Sequence, residues 1–368
     1  MAKTYAEIND KIKKGTAVVL TAEEVSELAK TLSPKEIAEK VDVVTTATFG
    51  AMCSSGAFLN FGHANPPIRM EKIELNGIRV SGGLAAVDTY VGATDCNPEN
   101  PAYGGAHVIE DLVAGKEIAL EAWGKGTDCY PCKHIKTRIT KDSINEAILY
   151  NPRNAYQNYN VATNSTDKIK YTYMGTLLPK LRNASYSTAG ELSPLLNDPE
   201  CRTIGLGTRI FLCGTEGYVT WNGTQFHSTK EVNEYGIPTS NARTIAVIGD
   251  LKNMSTDFLR GVYYEKYGVS LFVGIGIPIP ILDEDLARRV SIRNEQIETT
   301  VVDYGDGNKI LGKTNYAALQ SGEIEVNGHK IRTTPVASLA KARQIADILK
   351  SWIQKGDFLL SEPVRPMP

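Results

Sequence analysis

Apolar residues recur at helical spacing over residues 3–14 and 21–30, and the short apolar run Ala17 to Leu20 lies between the two stretches. Thr21 is followed three residues later by Glu24, a pairing that starts a helix with reciprocal hydrogen bonds. Ser33-Pro34 opens another helix to about Lys40, with proline where its missing N–H costs nothing. The period then changes. Val41 to Phe49, VDVVTTATF, is dense in β-branched residues and predicts a strand running into the small-residue segment Gly50 to Gly56. Further strands are predicted at 73–75, 78–80, 118–123, 209–213, 244–248 and 271–275, with helices near 105–114, 141–149, 255–268 and 283–290. A last helix spans about Val336 to Lys355 and stops at Gly356.

This succession predicts an α/β fold, a mixed sheet with helices and glycine-rich active-site loops, in a catalytic domain that takes in residues 1–368. The polar stretch Asn151 to Asp167 reads as a lobe boundary or an active-site loop, which allows two lobes at 1–150 and 168–368. The uncharged stretch Tyr267 to Leu282 carries three glycines and two prolines and is too short to span a bilayer, so it is read as a buried strand and turn. The first residues are charged from the outset, with no apolar segment before a cleavage site, which predicts a cytoplasmic protein. Forty basic residues against forty-two acidic ones leave a net charge of −2, so no broad basic field is present to hold nucleic acid or anionic lipid. Six cysteines in a long cytoplasmic chain are not a disulfide scaffold, and each is weighed as a thiol.

Two cysteines stand out. Cys53 follows the predicted strand within Gly50-Ala-Met-Cys-Ser-Ser-Gly56, where α/β folds place ligand crevices and small residues leave a thiol accessible. Cys129 lies in Gly124-Lys-Gly-Thr-Asp-Cys-Tyr-Pro-Cys132-Lys-His134, where Lys125, Lys133 and His134 favour a thiolate. The Cys129/Cys132 spacing admits half of a zinc site, a redox pair or two plain surface thiols, and Cys201 and Cys213 make a poor second half of a zinc site. No metal is therefore assigned. The glycine pairs at Gly205/Gly207 and Gly274/Gly276 lack the rest of a dinucleotide fingerprint. His63 and His134 are candidate proton donors because each lies near a candidate thiol in sequence, and Arg69 and Arg209, beside turns, are candidate carboxylate binders.

Three segments, VDVVTTATFGAMCSSGAFLNFGHANPPIRM, YGGAHVIEDLVAGKEIALEAWGKGTDCYP and MGTLLPKLRNASYSTAGELSPLLNDPECRTIGLGTRIFLCGTEGYVTWNGTQF, resemble the homocysteine biosynthesis family of methanogenic archaea and some anaerobic bacteria. The resemblance extends over essentially the whole chain. It implies transfer of sulfide-derived sulfur to aspartate semialdehyde, with Cys53 and Cys129 as the two functional thiols. It implies no tightly bound cofactor, and an external electron donor in the form of a separate ferredoxin-like iron–sulfur protein, because the chain ends before any appended regulatory or iron–sulfur module. The expected order of events puts a persulfide on Cys129 and makes Cys53 the resolving thiol, with the reverse assignment open. A homo-oligomer fits this reading. The competing reading is a sulfur carrier or scaffold that delivers persulfide to another enzyme.

Overall fold

The computed structural model describes residues 2–228 and 230–368. The start of the chain folds as its local pattern dictates. The helices Tyr5–Lys13, Ala22–Leu28 and Pro34–Lys40 all begin with a closed capping box, at Thr4/Glu7, Thr21/Glu24 and Ser33/Glu36. The β-branched run forms the strand Val43–Ala51, buried over eight of its nine residues. It pairs in parallel with Val19–Thr21 on one side and antiparallel with Gly268–Pro280 on the other.

These strands belong to a ten-stranded mixed sheet. Its order is Val19–Thr21, Val43–Ala51, Gly268–Pro280, Arg209–Leu212, Thr215–Asn222, Ile245–Asp250, Glu146–Asn154, Gly56–Asn60 and Asp88–Gly92, with Leu259–Tyr264 also paired to Gly268–Pro280. The two lobes expected from sequence thus share one sheet. A flat sheet would hold the second and eighth strands of this order roughly 29 Å apart at ~4.8 Å per strand. Only residues 52–55 connect them, and the chain from Ala51 to Gly56 reaches at most roughly 17 Å. The sheet must therefore curl, and the Cys53 segment joins the two parts that the curl brings together.

A six-stranded mixed sheet, in the order Lys309–Asn315, Glu298–Asp303, Val161–Thr163, Asn183–Tyr186, His329–Pro335 and Glu323–Val326, has its own core around Val161, Tyr186, Ile324 and Tyr316. A four-stranded antiparallel sheet joins Ile78–Val80, Lys72–Leu75, Ile118–Trp123 and His134–Ile139. The mixed α/β class expected from the sequence is the one found.

The long helix Leu339–Lys355 lays Ala342, Ile345, Ala346, Leu349 and Ile353 against Val43–Ala51 and Gly268–Pro280. Gly274 and Gly276 serve this contact, since a Cβ on either would come within 2.9 Å of Ile345. The helix ends at Gly356 in left-handed conformation, φ 81°.

Two expected helices are strands. Residues 141–149 lead into Glu146–Asn154, whose Ala147, Leu149 and Asn151 face inward in alternation. Residues 255–268 contain Leu259–Tyr264, and Gly261 there lets the sheet approach His107, which would lie 2.9 Å from a Cβ. Pairing with neighbouring strands overrides local helix preference in both. Residues 267–282, read as strand and turn, are mostly one strand of thirteen residues. Pro278 and Pro280 are tolerated because the pairing with Arg209–Leu212 stops at Gly276.

Candidate active site

The strand Val43–Ala51 delivers Met52, Cys53 and Ser54 to the crevice between the ten-stranded and six-stranded sheets. Met52 N donates to Leu271 O (2.8 Å) and Ala93 N donates to Ser55 O (2.8 Å), so both ends of the segment are tied to strands. Asn151, fully buried, donates from Nδ2 to Ser55 Oγ (3.0 Å) and accepts from Arg153 N at Oδ1 (3.0 Å). The thiol loop and Arg153 are thus fixed to one side chain. Gly56 is required beside the loop, because a Cβ would run into the Tyr90 ring and lie 2.7 Å from Val91 O.

Cys53 is partly buried and lines a cavity of about 240 Å³. This is below the roughly 300–1,000 Å³ typical of drug-sized ligand sites and suits a small metabolite. The walls come from both sheets: Gly50 to Ser54, Ser270 and Arg153 on one side, Met174, Ser187 and Val336 on the other. Tyr156, Tyr159, Tyr173, Tyr264 and Tyr267 supply most of the remaining surface.

The tyrosines hold one another. Tyr159 Oη donates to Tyr173 Oη (3.0 Å), and Tyr173 Oη is hydrogen-bonded to Tyr304 Oη at 2.7 Å, a contact in which either hydroxyl can donate. Tyr156 packs edge-on against Tyr159 with ring centres 4.7 Å apart. Burial pushes the Tyr156 and Tyr264 phenols up to about 12. Burial, with the neighbouring phenol of Tyr173, raises Tyr159 and Tyr304 further. Tyr267 is raised first by burial and then by the adjacent Cys53 and Tyr173. At neutral pH these phenols are therefore neutral hydrogen-bond donors. Ser54 Oγ is buried without a hydrogen-bond partner among the described residues.

The other residues singled out by sequence lie elsewhere. Cys129 is exposed at a turn closed by Thr127 and Tyr130, whose backbones exchange hydrogen bonds (2.9 and 3.1 Å). Tyr130 stacks on His63, with ring centres 6.1 Å apart, and His63 lies just past the far end of the strand Gly56–Asn60. That strand alone spans roughly 13 Å at ~3.3 Å per residue. Cys53 precedes it and Cys129 lies beyond its other end. The conformation described does not bring the two thiols into one cleft.

Proximity in sequence also misplaced the histidines. His63 stacks on Tyr130, while His134 stands exposed on the strand His134–Ile139, 3.0 Å from Glu121, and neither lines the cavity. Arg69 is exposed on a loop. Arg209 is committed to Glu216 and lies over the Phe358 ring at 4.5 Å. Cys201 and Cys213 are buried, and burial pushes both thiols up to about 12, whereas Cys129 stands in solvent, so these residues do not assemble a common thiolate site. The cation that does line the cavity, Arg153, belongs to the polar stretch flagged as a boundary or active-site loop.

The family model described as "Homocysteine biosynthesis enzyme, sulfur-incorporation" matches residues 17–360. A relative from Methanosarcina acetivorans named L-aspartate semialdehyde sulfurtransferase is 49% identical, covering 99% of this chain and 72% of its own length. One of the same name from Methanocaldococcus jannaschii is 50% identical, covering 98% of this chain and 72% of its own length. An uncharacterized protein of Methanothermobacter thermautotrophicus is 27% identical, over 92% of this chain and 77% of its own length. No solved structure matches. The chain belongs to the family of sulfur-incorporating homocysteine biosynthesis enzymes.

Proposed function

We infer that the chain is an L-aspartate semialdehyde sulfurtransferase in which Cys53 presents sulfur to the aldehyde. The single observation that carries this assignment of Cys53 is its position: among the two expected thiols, it is the one that opens into a tyrosine-walled cavity. Net conversion of an aldehyde and hydrogen sulfide to a thiol and water consumes two electrons and two protons.

Atoms and electrons balance through a persulfide. Oxidation of Cys53 with sulfide by the oxidised form of the external iron–sulfur protein forms a sulfur–sulfur bond, releasing two protons and passing two electrons to that partner. The outer sulfur adds to the aldehyde carbon, forming the carbon–sulfur bond and a hydroxyl. Two electrons and two protons then cleave the sulfur–sulfur bond and return the Cys53 thiol. Loss of water gives a thioaldehyde, and two further electrons and two protons complete homocysteine. Neutral tyrosine hydroxyls beside Cys53 are suited to donate hydrogen bonds to the oxygen as it leaves.

The net electron pair comes from an external iron–sulfur protein. Cys129 is exposed and lies outside the cavity, and it takes no step in this scheme. Placing the persulfide on Cys53 reverses the expected assignment of the carrier. A sulfur carrier acting for another enzyme has no use for a tyrosine-walled cavity of metabolite size beside the thiol, which favours the enzyme.

The test is to supply wild type, Cys53→Ala and Cys129→Ala with aspartate semialdehyde, sulfide and a reductant, and to assay homocysteine. Loss of product in Cys53→Ala is expected. Undiminished product would remove Cys53 from the reaction, and saturable sulfide loading without binding of aspartate semialdehyde would favour the carrier.

A further inference from the structure

We propose that Arg153 anchors the α-carboxylate of the substrate while the tyrosine ring faces around it receive the α-ammonium, so that the cavity selects a short aldehyde bearing both groups. The proposal rests on the sulfurtransferase reading for the identity of the substrate, and on the cavity itself for the binding mode.

The charge inventory of the cavity is the starting point. Among the described residues, Arg153 is the one formally charged side chain in its lining. Its guanidinium has no ion pair and no hydrogen bond among the described residues, only its backbone N–H being engaged, by Asn151. Other partly buried arginines are used up. Arg202 holds Asp283, Arg209 holds Glu216 and Arg289 holds Glu200. A guanidinium placed in a crevice without a counter-ion has lost part of its hydration, and a ligand carboxylate that meets it two-pronged restores the loss.

The cavity wall offers no protein anion that would compete. Among the described residues it contains no aspartate, glutamate or histidine, and its buried phenols stay protonated at neutral pH. The same shortage governs the other end of an amino acid. An α-ammonium finds no carboxylate here, but it does find tyrosine faces, and a cation over an aromatic ring within about 6 Å is attracted by the ring's quadrupole. The hydrogen bonds among Tyr159, Tyr173 and Tyr304 occupy those hydroxyls and lock the ring orientations. Because Asn151 holds both the Arg153 backbone and the Cys53 loop, the point from which the guanidinium extends is fixed relative to the thiol loop. That arrangement favours one chain length between carboxylate and aldehyde.

The test uses L-homoserine, which keeps the carboxylate and ammonium and carries an alcohol in place of the aldehyde. Protection of Cys53 from alkylation by iodoacetamide, followed by peptide mass spectrometry, reports its binding without any turnover. Arg153→Met is expected to weaken protection roughly tenfold to a hundredfold, the range for a lost charge-assisted contact. Arg153→Lys is expected to restore part of it, and Arg69→Met to change nothing.

In turnover, Arg153→Met raises KM for aspartate semialdehyde by a similar factor and leaves kcat within about threefold. Tyr264→Leu is expected to weaken protection by homoserine more than protection by 4-hydroxybutyrate, which lacks the ammonium. Equal protection of wild type and Arg153→Met by homoserine overturns the anchor, and equal losses for the two ligands in Tyr264→Leu overturn the aromatic site. Protection that depends on Arg153 in a protein that forms no homocysteine upholds the anchor and refutes the sulfurtransferase reading instead.

Discussion

Replacing Asn151 by alanine tests whether the thiol loop and the arginine are held as one unit. Asn151 is fully buried and uses both ends of its amide, donating to Ser55 Oγ and accepting from Arg153 N, each at 3.0 Å. Alanine removes both bonds, worth about 0.5–1.5 kcal/mol each, and leaves a hydroxyl and an N–H without partners in the interior. An overall loss of roughly 2–4 kcal/mol follows, the upper part of the range reached only where water cannot enter the vacated space. The loss falls on the loop that carries Cys53, so misplacement of the thiol should lower kcat/KM by about tenfold or more. Denaturant unfolding followed by intrinsic fluorescence measures the first quantity, and homocysteine formation the second. Stability within about 0.5 kcal/mol of wild type, the usual scale of a surface substitution, together with unchanged kcat/KM would refute the coupling.

Three further outcomes are expected. Gly56→Ala drives a methyl into the Tyr90 ring and against Val91 O, and should cost about 1–3 kcal/mol in unfolding experiments while reducing homocysteine formation through the displaced Cys53 loop. Arg209→Met breaks the pair with Glu216 and the stacking on Phe358, and should lower stability by about 0.5–1 kcal/mol while leaving KM unchanged, because Arg209 lies outside the cavity. Asp283 caps the helix Glu284–Arg289 and is held down to about 2, chiefly by Arg202. A depressed carboxyl stabilises the fold above its unfolded value and loses that contribution as pH falls through its folded value. Asp283→Ala should therefore cost about 1 kcal/mol at neutral pH, a gap that narrows as pH drops from about 4 towards 2; a gap independent of pH in that window would contradict the assignment.

The parts of the fold legible in the sequence are those decided by neighbours along the chain. The capping box at Thr21/Glu24, the proline-led helix start at Ser33-Pro34 and the β-branched run Val41 to Phe49 are local devices, and the helices and the strand Val43–Ala51 form where they point. Residues 146–154 and 259–264 answer instead to strands brought from elsewhere, which no local pattern announces. The inward alternation of Ala147, Leu149 and Asn151 was nevertheless visible at period two.

The same division holds in the site. Cys53 was legible because a small-residue turn after a strand is a local feature. The tyrosines were not, because residues 156–173 and 264–267 meet only when the two sheets close on each other. Arg153 lies within the polar stretch read as a boundary or active-site loop, but the sequence singled out Arg69 and Arg209 as carboxylate binders, and Arg209 is spent on Glu216. Nearness in sequence to Cys129 and Cys53 said nothing about where His134 and His63 point.

The most direct measurement asks which thiol bears the added sulfur when aldehyde arrives. Anaerobic protein is loaded with sulfide and a mild oxidant, freed of excess reagent, alkylated before and after addition of aspartate semialdehyde and reductant, and mapped by peptide mass spectrometry. One extra sulfur on the Cys53 peptide, discharged by the aldehyde with equivalent homocysteine formed, is the predicted result. Sulfur confined to Cys129 and discharged from there, with Cys53→Ala turning over at the wild-type rate, would contradict it.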